Sequence, residues 1–164
     1  MKRLTFFLAA LTLLLTGCGL SQERFQEPVT FYYLRDNFEY GSADSVIVPE
    51  IRESAGQRRE LSYFLALYQV GPSEEGLRSP LPENVRIQSV EVSGRKISLA
   101  LSDASKDMTD LQFTLACACL SKTSLELVDA DTVGITGGSR TITMDRDSLV
   151  LYDHITNTAV EETK

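Results

Sequence analysis

The longest apolar stretch of this chain is expected to lie outside its folded core. It runs from Leu4 to Thr16, follows Met1-Lys2-Arg3 and ends in Leu15-Thr16-Gly17-Cys18. A positive start, a short greasy run and a small residue before a cysteine are the marks of an export signal. The run is shorter than the ~20 residues that a membrane-spanning helix needs. What folds must therefore come from residues 18–164, enough for one domain and hardly for two.

The ending Leu15-Thr16-Gly17-Cys18 resembles the lipobox of bacterial lipoproteins. The resemblance implies cleavage before Cys18 and diacylglycerol on its sulfur. Cys18 then becomes the lipidated, palmitate-bearing first residue, tethered to the outer side of the cell membrane. Loss of Lys2 and Arg3 takes the basic residues from 16 to 14 against 23 acids, a net charge of −9. Such a surface argues against nucleic acid as a partner and against electrostatic adhesion to anionic lipid. Membrane attachment is accordingly expected through lipid on Cys18, and one chain alone anchors only marginally.

The other cysteines form Cys117-Ala118-Cys119. On a helix the two side chains diverge by about 160–200°, and on a strand they sit too far apart to bridge comfortably. They read as small buried apolar residues.

Along the chain, 18–27 is a polar tether and 28–153 carries the pattern of a domain. Pro28 to Arg35 is rich in aromatic and β-branched residues and predicts a strand. Val46 to Ile51 predicts another, with Pro49 favouring an edge or a bulge. Arg58 to Val70 predicts a helix burying Leu61, Phe64, Leu65 and Tyr68, stopped by Gly71-Pro72. Ser73 to Glu83 reads as a loop. Val85 to Ser93 and Lys96 to Leu101 predict a hairpin turning at Ser93-Gly94-Arg95, with a bulge near Gln88-Ser89 where the alternation slips.

Asp107 to Leu120 fits either a helix or, over 112–120, a strand. Asp107 with Asp110 at N3 would make a variant capping box and favours the helix. On that helix Leu111, Leu115 and Ala118 form one stripe, and Phe113, Ala116, Cys117 and Leu120 another. A helix apolar on two sides needs burial or a partner on each. Thr132 to Thr136 and Arg140 to Met144 flank Gly137-Gly138-Ser139 as a second hairpin. Ser148 to Tyr152 adds a short last strand, and 154–164 reads as a polar, fraying tail.

Chemistry is sparse. His154 is the only histidine and sits beside that tail, a poor place to hold a general base. No metal site is expected, since clustered His, Cys or carboxylate ligands are missing from the pattern. Asp103, Asp107 and Asp110 suit a helix start, and Asp129, Asp131, Asp145 and Asp147 suit turns. Neither group has calcium-loop spacing. Gly137-Gly138-Ser139 precedes a strand and not a helix N-terminus, so it reads as a turn and not a phosphate cradle. No catalytic residue and no cofactor are expected.

The words Leu61-Ser62-Tyr63-Phe64-Leu65-Ala66-Leu67, Val70-Gly71-Pro72 and Gly76-Leu77-Arg78-Ser79-Pro80-Leu81-Pro82 occur in that order. Val85-Arg86-Ile87, Val90 to Gly94 and Ile97 to Ser102 follow. Together they resemble the GerM domain, the sporulation and spore germination domain. Thr114-Leu115 (or Cys119-Leu120) and Val133 to Gly137 would fill the family's second helix and last strand. The resemblance covers about residues 29–145, and the chain has room for one such domain where a tandem member carries two.

It implies an α+β fold like that of ring-building motifs, two helices on one face of a small, mainly antiparallel or mixed sheet. It also implies a non-enzymatic, lipid-anchored protein that binds protein partners or itself, in sporulation or germination envelope complexes. The alternative from a different class is an envelope lipoprotein that binds a wall fragment or small molecule. A hydrolase using two of the aspartates is the third and weakest reading.

Full burial of a side chain such as Phe64 stabilises by roughly 1.5–3 kcal/mol. Phe64→Asp is expected to abolish folding, checked by far-UV circular dichroism and by loss of soluble yield.

Overall fold

The computed structural model describes residues 28–37, 45–54, 60–147, 152–153 and 158–159. Its elements are β1 (Val29–Arg35), β2 (Ile47–Arg52), α1 (Leu61–Tyr68), β3 (Leu77–Arg78), β4 (Ile87–Ser93) and β5 (Lys96–Leu101). A 3₁₀ helix (Asp103–Asp107), α2 (Asp110–Leu127), β6 (Thr132–Gly137) and β7 (Arg140–Asp145) follow. Two short strands, β8 (Tyr152–Asp153) and β9 (Thr158–Ala159), pair with each other inside the C-terminal stretch. The fold is α+β.

Seven of the strands form two sheets, ordered β2-β1-β3 and β4-β5-β6-β7, where the sequence suggested one. The reason lies at Tyr32. Tyr32 stands opposite Pro49 in the antiparallel β1–β2 ladder. Proline has no N–H, so this must be a pair without ladder hydrogen bonds, and the Tyr32 peptide groups face away from β2. The alternation agrees, since Arg35 N–H, three residues on, bonds back to Val46 O at 3.0 Å.

On that far side β3 reaches only Leu34 and Arg35. Tyr32 N–H instead donates to Thr123 Oγ1 of α2 at 3.0 Å, and Tyr32 O accepts from the Tyr68 hydroxyl at the end of α1 at 2.8 Å. Side chains of both helices thus close the edge of β1, and the first sheet stops there. Pro49 lies on an edge strand, as its missing donor predicted.

The second sheet is mixed. The β4–β5 hairpin turns at Gly94, whose φ of +57° suits glycine, and its register shifts between Ile87 and Ser89, where the bulge was expected. β5 and β6 are parallel, which requires a crossover, and α2 supplies it. β6 and β7 form the second predicted hairpin, turning at Gly138-Ser139. One face of this sheet buries Ile97, Leu99, Leu101, Val133 and Ile135. α2 lies against β1, β6 and β7, while α1 meets β4 and α2. α1 buries Leu61, Phe64, Leu65 and Tyr68, the set its spacing predicted.

The start of α2 differs from expectation. Asp107 ends the 3₁₀ helix and caps nothing in α2. The N-cap is Thr109, whose Oγ1 accepts from Gln112 N–H at 3.2 Å while Gln112 Oε1 accepts from Thr109 N–H at 2.9 Å. This is a full capping box, and a threonine–glutamine pair makes it better than two aspartates can.

The helix also continues seven residues past Leu120, to Leu127, with Ser121, Thr123 and Ser124 buried. Of the two apolar stripes, Phe113, Ala116, Cys117 and Leu120 are buried, whereas Leu111 is 52% exposed. Arg140 of β7 locks the helix start: its guanidinium lies 4.2 Å from the Phe113 ring centroid and donates to Met108 O and Ser105 O.

Close packing at this corner depends on a missing side chain. A Cβ on Gly137 would sit 2.6 Å from Phe113 Cε2 and 2.7 Å from Ser105 Oγ, whereas at Gly134 the nearest atom is 3.8 Å away. Gly137→Ala is expected to cost about 1–3 kcal/mol, and Gly134→Ala to be tolerated. Urea unfolding of the two variants checks the contrast.

Candidate functional site

β2 alternates, so Glu50 and Arg52 share one face of the first sheet. They stand opposite Phe31 and Val29, with Tyr33 next along that face. Glu50 is only 3% exposed. Arg52 grips it with both nitrogens of a fork, Nε to Oε1 at 2.9 Å and Nη2 to Oε2 at 3.1 Å. The same Nη2 donates to Gly71 O at 2.7 Å and to the Tyr33 hydroxyl at 3.3 Å, and the guanidinium stands 5.1 Å from the Phe31 ring centroid. Ser73 completes the carboxylate shell with its N–H at 3.0 Å and its hydroxyl. The Tyr33 hydroxyl in turn donates to Tyr68 O at 3.1 Å, and the two phenol rings stack at 4.7 Å.

The charges behave as this geometry demands. Burial pushes the Glu50 carboxyl up, but hydrogen bonds from Arg52 and Ser73 outweigh it and hold the group below its ordinary value. Burial pushes the Tyr33 phenol up to about 12, against the pull of the Arg52 cation, so it stays a neutral donor. This ion pair clamps the Gly71–Ser73 turn onto β2. Gly71 itself has φ +103°, a conformation that favours glycine.

The clamped turn forms one wall of a half-open cleft of about 440 Å³. Leu81 and Val85 are its buried apolar lining, Gln69 and Ser79 flank them, and Val70 stands at the lip, 83% exposed. Gln69 Oε1 accepts from Ile87 N–H at 2.8 Å, Ser79 Oγ from Leu81 N–H at 3.2 Å, and Pro82 O from Val85 N–H at 2.9 Å. The cleft walls are therefore fixed by their own hydrogen bonds. Glu83 and Arg86 are the ionisable groups in its lining.

The residues singled out in the sequence lie elsewhere and do not converge. Cys18 and His154 are outside the described residues. Cys117 and Cys119 are buried and unbridged. Burial pushes the Cys117 thiol up to about 12 and Cys119 higher still, which leaves both without thiolate character. Asp129 and Asp131 hold Arg95 of the β4–β5 turn at 2.9 and 2.7 Å, an exposed fork. Asp110 sits in the first turn of α2, 3.3 Å from Arg140. Among the described residues no three His, Cys, Asp or Glu side chains stand close enough to hold a metal ion.

Sequence reasoning missed Glu50 and Arg52. Their signal was available: opposite charges two apart on a strand share a face, and the neighbouring strand offered Phe31 and Tyr33 to that same face.

Neither a family model nor a curated relative matches the sequence. Among solved structures, the tandem GerMN domains of the sporulation protein GerM from Bacillus subtilis align over 70% of this chain, at 19% identity and a TM-score of 0.52. The chain has the fold of a GerMN domain. It spans 40% of the length of that tandem structure. A protein from Clostridium perfringens, described as a candidate lipoprotein, aligns over 74% of this chain and 89% of its own, at 14% identity and a TM-score of 0.45. In this GerMN fold the clamped turn and the cleft are built by the Val70-Gly71-Pro72 and Ser79-Pro80-Leu81-Pro82 words quoted above.

Removing one partner of a buried pair is costly, so Glu50→Ala is expected to destabilise by about 3–5 kcal/mol. A depressed carboxyl contributes stability above the unfolded value of about 4.3. That contribution is lost as the pH falls below it and through the lower folded value. Glu50→Gln is therefore expected to flatten the acid limb of the stability curve below about pH 4, measured by urea melts at stepped pH.

Proposed function

We propose that this protein is a lipid-anchored, non-enzymatic envelope protein whose GerMN-fold domain acts by binding other proteins, in sporulation or germination complexes. The observation that carries the reading is the GerMN fold, in a chain whose Leu15-Thr16-Gly17-Cys18 resembles a lipobox. Cys18 would bear the lipid, and 18–27 would link it to β1. Among the described residues no helix is long and apolar enough to cross a membrane, which is compatible with lipid as the anchor. The cleft is lined by apolar Val70, Leu81 and Val85 together with polar Gln69 and Ser79, and its two ionisable groups, Glu83 and Arg86, are exposed, a mixture that suits holding a ligand. Tethering raises local concentration, so weak lateral contacts suffice for assembly at a membrane.

A second reading rests on the cleft itself. Its volume of about 440 Å³ lies in the range of small-molecule sites, which supports an envelope ligand-binding lipoprotein as the alternative. Thermal shifts with wall fragments separate this from the first reading.

In-cell crosslinking and pull-down of the intact lipoprotein, in growing and in starved cells, tests the proposal. Recovery of itself or of envelope proteins after starvation is expected, and Cys18→Ser is expected to move the protein out of the membrane fraction. A monomer in both states would discard the assembly role.

A further inference from the structure

β4 is an outer strand of the four-stranded sheet, and its free edge has a definite chemistry. The hairpin closes at Ser93↔Lys96 around a two-residue turn, so Ser93, Glu91 and Ser89 exchange hydrogen bonds with β5. Val90 and Val92 alternate with them, and their N–H and C=O groups face outward. No partner among the described residues takes these four groups. At Ile87 the outward N–H is met by Gln69, which marks where the open edge ends and the cleft begins. Val92 is 49% exposed and Val70, on the cleft lip, 83%.

Two residues spaced along a strand, each with its N–H and C=O turned outward, are complementary to one kind of ligand, another extended backbone. Val90 and Val85 are five residues apart, about 16 Å along a strand. A segment of six to eight residues would reach from the edge into the cleft. We infer that the outer edge of β4 docks an extended segment of a partner protein. Its backbone pairs with Val90 and Val92, and an apolar side chain near its end enters the cleft between Val70, Leu81 and Val85.

Charge selects among occupants. Glu91 is exposed between the two pairing residues, and the chain carries a net charge of −7. A second copy would bring like charge to like, and pairing β4 about its own centre would set Glu91 against Glu91. A foreign strand with a lysine or arginine opposite Glu91, between two β-branched residues, meets both the charge and the half-open valines. The inference rests on reading the domain as protein-binding and is independent of the lipid.

The test is amide hydrogen exchange on the full-length protein in detergent, with the synthetic peptide acetyl-Thr-Val-Lys-Val-Thr-Thr-Leu-amide as probe. A control peptide carries proline at both valine positions. In the free protein the Val90 and Val92 amides should exchange fast and Glu91 slowly. At about 1 mM probe, exchange at Val90 and Val92 should slow at least tenfold, and saturably. Val92→Pro removes an outward donor without costing a β4–β5 bond, so it should keep the parent's melting point while weakening binding about tenfold or more. Val70→Asp should weaken binding but keep protection at the edge.

No saturable protection, equal protection by the proline peptide, or undiminished binding by Val92→Pro would overturn the inference. So would free-state protection of Val90 and Val92 accompanied by a dimer in sedimentation, which would assign the edge to a second copy. If Val92→Pro retains its crosslinked partners in cells, the protein-binding reading stands and this site falls.

Discussion

The domain depends on which way one peptide group faces. Pro49 cannot donate, so the Tyr32 peptide turns from β2 towards the helices, where Thr123 and Tyr68 receive it. A buried backbone donor left unmet costs about 1–3 kcal/mol, so both helices must be in place for β1 to be satisfied. That requirement fixes the position of α2 against the first sheet. The hydrophobic contacts of Phe113, Leu120 and the β5–β6 face then hold the same helix against the second. One hydrogen-bonded site thus joins two sheets that share no ladder.

Glu50 and Arg52 extend the same logic to the surface. The pair is deep enough that its desolvation is a real cost, and that cost is met by the number of groups converging on it. Arg52 bonds a carboxylate, a phenol and a carbonyl, while Glu50 accepts from Arg52 and twice from Ser73. What the pair supplies is position: Gly71 to Ser73 cannot drift from β2 while it holds. The cleft wall is rigid because a charge pair behind it is rigid, and Gln69 fixes the adjoining end of β4.

Much of this was legible in the residues. The period of Leu61, Phe64, Leu65 and Tyr68, the stop at Gly71-Pro72, the slipped alternation at Gln88-Ser89 and the two glycine turns are local signals, and local signals survive folding. The parallel pairing of β5 with β6 was not legible, because a strand's sequence does not name its neighbour. The cap of α2 moved from Asp107 to Thr109 because a threonine–glutamine pair closes both bonds of the box. The helix runs on past Leu120 to Leu127 and so brings the Thr123 hydroxyl to the Tyr32 N–H of β1. The cleft and its buried ion pair join residues from three separate stretches of chain, which no window of sequence contains. The cap was thus one local signal chosen over another, whereas the second sheet and the longer helix answer to pairings between distant residues.

Tyr32 and Thr123 are 91 residues apart. During synthesis at about 5–20 residues per second, β1 emerges on the order of ten seconds before the side chain that completes it. Throughout that interval the most aromatic strand of the protein, Phe31-Tyr32-Tyr33, has an unmet edge. Pairings this far apart in sequence are the kind that slow folding, and the first strand waits on one of them. The chain's need for shelter during folding is greatest at its first strand.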